Sequence, residues 1–379
     1  MKFASVADFR PHAKRRLPKF AFDYLDGGAG SEAGIRRNQQ ALDELQLIPR
    51  MLVNIEHRDL ATTFFGRKWA APFGTAPIGM GNLLWPRAEE AIARACVAAG
   101  IPYTLSTPAT TSLERMAEIA GANGWFQLYV GRSEEMVADL VVRAERAGYD
   151  VVLVTVDVPV PPRRLRDIKN EFTMKFRFTP RVIYELVTHP LWSLQTLMAG
   201  MPKSVNMERY APATGALPVA RYMSSQVTGR FDWNNLKQLR ERWRRKLVVK
   251  GLLTAEDALR ARDLGCDGVV VSNHGGRQLA SLPATIDVLP EIRAAVGASF
   301  PLILDSGIRS GEHIVKALAA GADFVLIGRA MMYAVAALGR AGPKVAIELL
   351  TAEMMNCLGQ IGYTDIASLK AAAPVLRRR

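Results

Sequence analysis

The chain has 379 residues, 49% of them hydrophobic, with 30 glycines and 22% charged residues, which excludes a disordered chain, a coiled coil and a collagen-like fibre. The length exceeds the ~100–200 residues of one ordinary domain and leaves two modest domains or one large barrel. A formal charge of +13 favours an anionic partner (nucleic acid, an anionic membrane surface or an acidic small molecule) unless it is simply a solvated basic face.

The N-terminal stretch MKFASVADFRPHAKRRLPKF lacks the apolar core of a signal peptide, and no run of about 18 uncharged apolar residues follows, so neither export by that route nor a membrane span is expected. Residues up to about Val53 precede the first strand and are expected to cover the barrel. Apolar runs predict strands at Pro72–Ala76, Tyr103–Ser106, Trp125–Val130, Val151–Val156, Leu247–Lys250, Gly268–Ser272, Leu302–Asp305 and Phe324–Ile327. Amphipathic helices alternate with them, among them Arg87–Ala99, Ser133–Ala147 and Thr254–Leu264, the last opening on a Thr254/Asp257 capping pattern. Eight strands in this rhythm predict an α/β fold of the TIM (β/α)8 type, the whole chain 1–379 forming one domain. A closing helix from Ile347 and the tail APVLRRR end the chain. Cys96, Cys266 and Cys357 have no CxxC spacing and suggest neither a disulfide framework nor a zinc site.

About ninety residues separate the fourth strand from the fifth, an insertion at the barrel face where active sites lie. Residues 172–230 hold seven Lys and Arg against two Glu, a formal +5. Within them Ile183–Met201 is less charged, and Leu191, Trp192, Leu194, Leu197 and Met198 are expected to form one helical face flanked by Lys175, Arg177, Arg181, Lys203 and Arg209. That pattern suits contact with an anionic membrane, and also a lid helix or a subunit interface.

The most informative stretch is GVVVSNHGGRQL, Gly268–Leu279. A buried strand ends at the catalytic face with His274 and Arg277 separated by two glycines. A histidine suits proton removal near neutral pH and an arginine fork suits a carboxylate, although a lone histidine is more often structural. DSGIRSG (Asp305–Gly311) and GADFVLIGRA (Gly321–Ala330) end the seventh and eighth strands as a barrel phosphate site would, with Arg309 and Arg329 adding charge. Lys250 ends a buried strand and reads as the partner of an anionic group, unless it reaches solvent.

SNHGGRQ, DSGIRSG with GADFVLIGRA, FQLYV, TVD and FDYLDGGAGSE together resemble the FMN-dependent L-2-hydroxy-acid oxidising family over nearly the whole chain. The resemblance implies FMN and makes His274 the base with Asp157 as its partner. It places Tyr24, Arg277 and Arg164 on the substrate carboxylate, Tyr129 near the substrate hydroxyl and Lys250 by flavin N1. Pro77, Ile78, Gly79, Ser106, Gln127, Thr155 and Ser272 are implied as contacts of the flavin and ribityl. Asp305, Ser306, Gly307, Ile308, Arg309, Gly328 and Arg329 are implied for ribityl and phosphate. No metal is expected.

Two departures stand out: Ala280 where the family has Asp, and Arg163 where a small or aromatic residue is usual, expected to alter the substrate end. Gly79, with the basic insertion, is similar to the members that pass electrons to a membrane, so a quinone or other carrier is expected rather than oxygen. LLWPR and HPLWSL resemble the mandelate-oxidising members, so an aromatic 2-hydroxy acid is expected first and L-lactate second. A homotetramer is implied, cytoplasmic or peripheral on the cytoplasmic face of the inner membrane. Alternatives are an oxidase, a flavin-free barrel for phosphorylated metabolites, an FMN isomerase and, on charge alone, a nucleic-acid binder without a recognised module.

Overall fold

The eight apolar runs are barrel strands. The computed structural model describes residues 3–170, 179–372 and 376–378, and in it the runs close into a parallel barrel. Its strands are β1 (Phe73–Thr75), β2 (Tyr103–Ser106), β3 (Gly124–Tyr129), β4 (Val151–Thr155), β5 (Lys246–Leu252), β6 (Gly268–Val271), β7 (Leu302–Leu304) and β8 (Phe324–Ile327), each within two residues of its predicted limits. Each pairs with its sequence neighbour, and β8 returns to β1 with Val325 opposite Phe73.

Side chains alternate along these strands, so each strand serves two cores. Leu153, Val248, Val270 and Ile303 fill the barrel axis. Val152, Val154, Val249, Val269 and Leu304 face outward beneath the helices. A hairpin of Thr62–Phe64 and Arg67–Trp69 plugs the N-terminal end, its Phe64 ring stacked on Phe324 at 4.9 Å. The opposite end, where the strands point, is left for chemistry. Helices after β3, β5 and β7 start on Ser133, Thr254 and Ser310, whose hydroxyls accept from a backbone N–H in the first turn.

Two expectations about the periphery need correction. The C-terminal helix begins earlier than Ile347, spanning Gly342–Ile361; in the tail that follows, Leu376–Arg378 pairs antiparallel with Leu45–Leu47. An edge strand of the N-terminal cover finds its hydrogen-bond partners at the far end of the chain. The less charged stretch Ile183–Met201 is spread over two helices, Pro180–Thr188 and Pro190–Ala199, because Pro190 has no N–H to continue the first, and the five residues expected on one face all lie on the second. The single face expected of Leu191, Trp192, Leu194, Leu197 and Met198 needs correction. Trp192 is 4% exposed, whereas Leu191, Leu194, Leu197 and Met198 are 53–80% exposed. Lys175 and Arg177 lie outside the described residues. Among these residues no helix is long and apolar enough to cross a membrane, and the three cysteines are unpaired.

Candidate active site

β6 delivers the His-Gly-Gly turn. After buried Ser272 and Asn273 the chain turns back through His274, held at a left-handed φ of 58°, and the Asn273 side chain accepts from Gly276 N–H. Gly276 is required by what faces it: a Cβ there would sit 2.7 Å from the Ile35 nitrogen of the N-terminal cover. His274 Nδ1 lies 2.8 Å from Asp157 Oδ1, at the end of β4, and Nε2 lies 3.1 Å from the Tyr129 hydroxyl, at the end of β3. Burial pushes the Asp157 carboxyl up, but His274 and Lys250 outweigh it and hold the group ionised. An ionised Asp157 accepts from Nδ1–H, which leaves the lone pair on Nε2, accepting from Tyr129. Burial lowers the His274 pKa more than Asp157 raises it, so the imidazole is neutral at pH 7.

Two arginines share the next stretch of wall. Arg277 lies over the Tyr24 ring at 5.1 Å and donates to the carbonyls of Tyr24 (2.7 Å) and Gly27 (3.0 Å). Burial, and then Arg164, push its pKa down to about 10, still cationic at neutral pH. Among the described residues Arg164 has only a 3.8 Å contact with Asp167 as its ion pair, so the pair of guanidiniums keeps capacity for another anion. The Tyr24 hydroxyl donates to Gly79 O. Arg163 is exposed and does not line the cavity, so its side chain does not shape the substrate end as expected. Ala280 offers its carbonyl to Arg37, a backbone contact that involves no acidic side chain.

On the opposite side Lys250 is 4% exposed, with Nζ 2.8 Å from Ser272 Oγ and 3.1 Å from Asp305 Oδ2. Burial lowers its pKa, but Asp305 and Asp157 more than compensate and keep it an ammonium. The Ser106 hydroxyl donates to Gln127 Oε1 at 2.7 Å, whereas Gln127 Nε2 and Thr155 Oγ1 are buried without a partner among the described residues. Pro77, Ile78 and Gly79 follow β1, and a Cβ on Gly79 would meet the Pro108 ring at 2.6 Å.

Ser306, Gly307 and Ile308 after β7, with Gly328 after β8, bring Arg309 and Arg329 to the cavity. Arg329 donates to the carbonyls of Leu25, Gly27 and Gly275, so it also ties the N-terminal cover to the histidine turn. Burial lowers both arginines, Arg329 to about 9. These residues fit FMN: two unpartnered buried polar atoms for a polar ring, a buried ammonium, and glycine turns with two arginines for a phosphate. The cavity has a volume of about 960 Å³. Of the predicted residues, Ser106, Asp157 and Ser272 do not line it, and stand directly behind Gln127, His274 and Lys250. No group of three potential metal ligands occurs among the described residues.

Three contributors were not anticipated. Glu89, fully buried, accepts from the N–H groups of Gly81 (2.9 Å), Thr110 (2.9 Å) and Thr111 (2.8 Å), joining the loops after β1 and β2. Asn206 of the insertion, also fully buried, accepts from Leu113 N–H at 2.8 Å and donates to the carbonyls of Thr107 and Thr111. Asp26 accepts from Arg10, Arg166 and Tyr333, fastening the cover beside the arginines. A carboxylate beside another helix acid, as Glu89 is beside the partly buried Glu90, carries no signal of its burial in sequence.

Comparison with known proteins gives the family and the fold. The description "FMN-dependent dehydrogenase" matches residues 13–375. (S)-mandelate dehydrogenase of Pseudomonas putida is 40% identical over 96% of this chain and 92% of its own. L-lactate dehydrogenase of Caulobacter vibrioides is 39% identical over 97% of both chains. The crystal structure of the monotopic membrane protein (S)-mandelate dehydrogenase superposes with a TM-score of 0.96 at 38% identity, covering all of both chains.

Proposed function

Since the chain belongs to the FMN-dependent dehydrogenase family, we propose that this FMN-dependent 2-hydroxy-acid dehydrogenase acts on an aromatic L-2-hydroxy acid, (S)-mandelate first, and passes electrons to a membrane quinone. The observation that carries the reaction is His274, its Nδ1 2.8 Å from Asp157 Oδ1, which lines one cavity with Arg164 and Arg277. The two guanidiniums and the Tyr24 hydroxyl hold the substrate carboxylate. This sets the 2-hydroxyl and its carbon against His274 and Tyr129. FMN, when bound, supplies the two-electron acceptor.

The substrate loses two electrons and two protons to become the 2-keto acid, and His274 takes one proton, from the hydroxyl in a hydride route or from the carbon in a carbanion route. Asp157 stabilises the resulting imidazolium. Lys250 offsets negative charge that develops beside it. Gln127, Thr155 and the Pro77–Gly79 backbone contact the ring, with Ser106 and Ser272 supporting them from behind. Residues 305–309, Gly328 and Arg329 hold ribityl and phosphate. The whole chain acts as one domain, with 1–53 as cover and 172–230 as membrane-facing insertion, in a homotetramer on the cytoplasmic face of the inner membrane.

Support for an aromatic substrate comes from the apolar walls above the arginines. Trp192 of HPLWSL lines the cavity and donates to the Leu83 carbonyl of LLWPR at 3.0 Å, so the two segments expected to mark this preference meet there. Trp85 lies away from the site, under Arg16. L-lactate is the second reading, carried by the near-equal identity to a lactate dehydrogenase. Steady-state assays with a dye acceptor test the choice: kcat/KM for (S)-mandelate should exceed that for L-lactate, and the reverse order selects the second reading. Oxygen consumption as fast as dye reduction would replace the quinone with oxygen.

A further inference from the structure

The cavity has two chemically different parts. Its floor carries Arg164, Lys250, Arg277 and Arg309. Its upper arm runs beneath the insertion, and between Leu186 and Phe231 none of the residues that line it is charged. The basic residues of that stretch are therefore elsewhere: Arg221 and Arg230 are exposed, and Lys203 and Arg209 pair with Glu208 and Asp139. An anionic or strongly hydrated molecule would gain no countercharge in the arm and would lose hydration.

The arm opens onto an apolar surface. Leu197, Met201 and Leu217 line the cavity and are also 80%, 60% and 40% exposed. Around this mouth Ile183, Tyr184, Val187, Leu191, Leu194 and Met198 are exposed as well, a concentration of large apolar side chains that water does not favour. Inside the arm Thr196 is 6% exposed, and its Oγ1 has no hydrogen-bond partner among the described residues.

We propose that this arm is the access path and docking site of the electron acceptor, a neutral lipid-soluble quinone that comes from the bilayer between the helices Pro190–Ala199 and Ala216–Gln226. The inference rests on the membrane-quinone reading above and gives it a location. The hydroxy acid is held by its carboxylate at the charged floor with its ring toward Trp192, and the quinone lies farther out in the arm beside Thr196 and Ala220, so polarity sorts two ligands within one cavity. The Thr196 hydroxyl, after a turn of its side chain, donates to a quinone carbonyl. Over the full reaction 2-hydroxy acid plus quinone gives 2-keto acid plus quinol, two electrons and two protons passing from one to the other.

Ala220, on the Ala216–Gln226 helix, lines the arm and not the floor. The test compares holoenzyme with Ala220→Phe and Thr196→Val, using a short-chain benzoquinone and a photoreactive azido-benzoquinone. Ala220→Phe should slow reoxidation by the benzoquinone by about tenfold or more, the effect of overfilling a packed site. Anaerobic bleaching by the hydroxy acid should stay near the wild-type rate, which also reports that the variant is folded. Thr196→Val should raise the half-saturating quinone concentration severalfold. In the wild type the azido probe should label residues within 186–231, and Ala220→Phe should lose that label. Wild-type reoxidation rates in Ala220→Phe, or labelling elsewhere, would overturn the arm while leaving the quinone reading intact. A wild type that bleaches but is reoxidised by oxygen and by no quinone would overturn both.

Discussion

His274 Nδ1 and Asp157 Oδ1 stand 2.8 Å apart across the ends of β6 and β4, in a space that Gly251 keeps open. A Cβ on Gly251 would come within 2.5 Å of Asp157 Cβ. The pair fixes which imidazole nitrogen faces the cavity. His274→Gln should keep FMN, read from the visible absorbance after gel filtration, and lose about 10²–10⁴-fold in the anaerobic bleaching rate. Asp157→Asn should fall in the same direction, because Nδ1–H loses the carboxylate that orients it.

The pH profile follows from the same pair. Burial holds the His274 pKa below the ordinary 6.5, so the base form prevails at neutral pH and is lost as the pH falls through that lowered value. The acid limb of kcat/KM should therefore lie below pH 6.5. Asp157 favours the imidazolium, so Asp157→Asn should move the limb to still lower pH while reducing the plateau. An acid limb above pH 7 in the wild type would contradict the burial argument.

Lys250 and Asp305 are a buried ion pair. Lys250→Met leaves the Asp305 carboxylate without its cation, a loss of about 3–5 kcal/mol. Thermal unfolding should show this as a large fall in Tm. Adding Asp305→Asn should recover much of the stability but not the rate of flavin reduction, separating the structural part of the lysine from its chemical part.

Glu89→Ala strands three backbone donors in the core, each costing about 1–3 kcal/mol. Urea titration should give a much lower midpoint. Glu89→Gln, which keeps one acceptor oxygen, should fall between the two.

The exposed apolar patch predicts a binding phenotype. Changing Leu191, Leu194 and Met198 to Ser should release the protein from phosphatidylglycerol vesicles in a sedimentation assay, with bleaching by substrate unchanged. Retention on the vesicles would place the contact elsewhere.

The barrel was legible because parallel strands buried on both faces are continuous apolar runs, and the histidine turn because Gly275 and Gly276 interrupt a polar strand end. Arg277, Arg309, Arg329 and Lys250 stand at or just past strand ends that the pattern locates, whereas Arg164 came only with the family resemblance. Glu89 was not legible, since its partners are backbone N–H groups brought in by two other loops. The pairing of Leu376–Arg378 with Leu45–Leu47 and the plug of Phe64 on Phe324 join segments far apart in sequence, where local pattern has no reach. The helix Pro190–Ala199 was legible as an apolar segment, but which of its side chains turn inward was not: Trp192 is buried because it reaches the Leu83 carbonyl of a distant loop.

Anaerobic mixing of the purified holoenzyme with a panel of 2-hydroxy acids tests the central claim most directly. The yellow protein should bleach with L-2-hydroxy acids, fastest with (S)-mandelate, and should not bleach with the D-enantiomers. A protein that carries no flavin, or whose flavin stays oxidised with every member of the panel, would contradict the account.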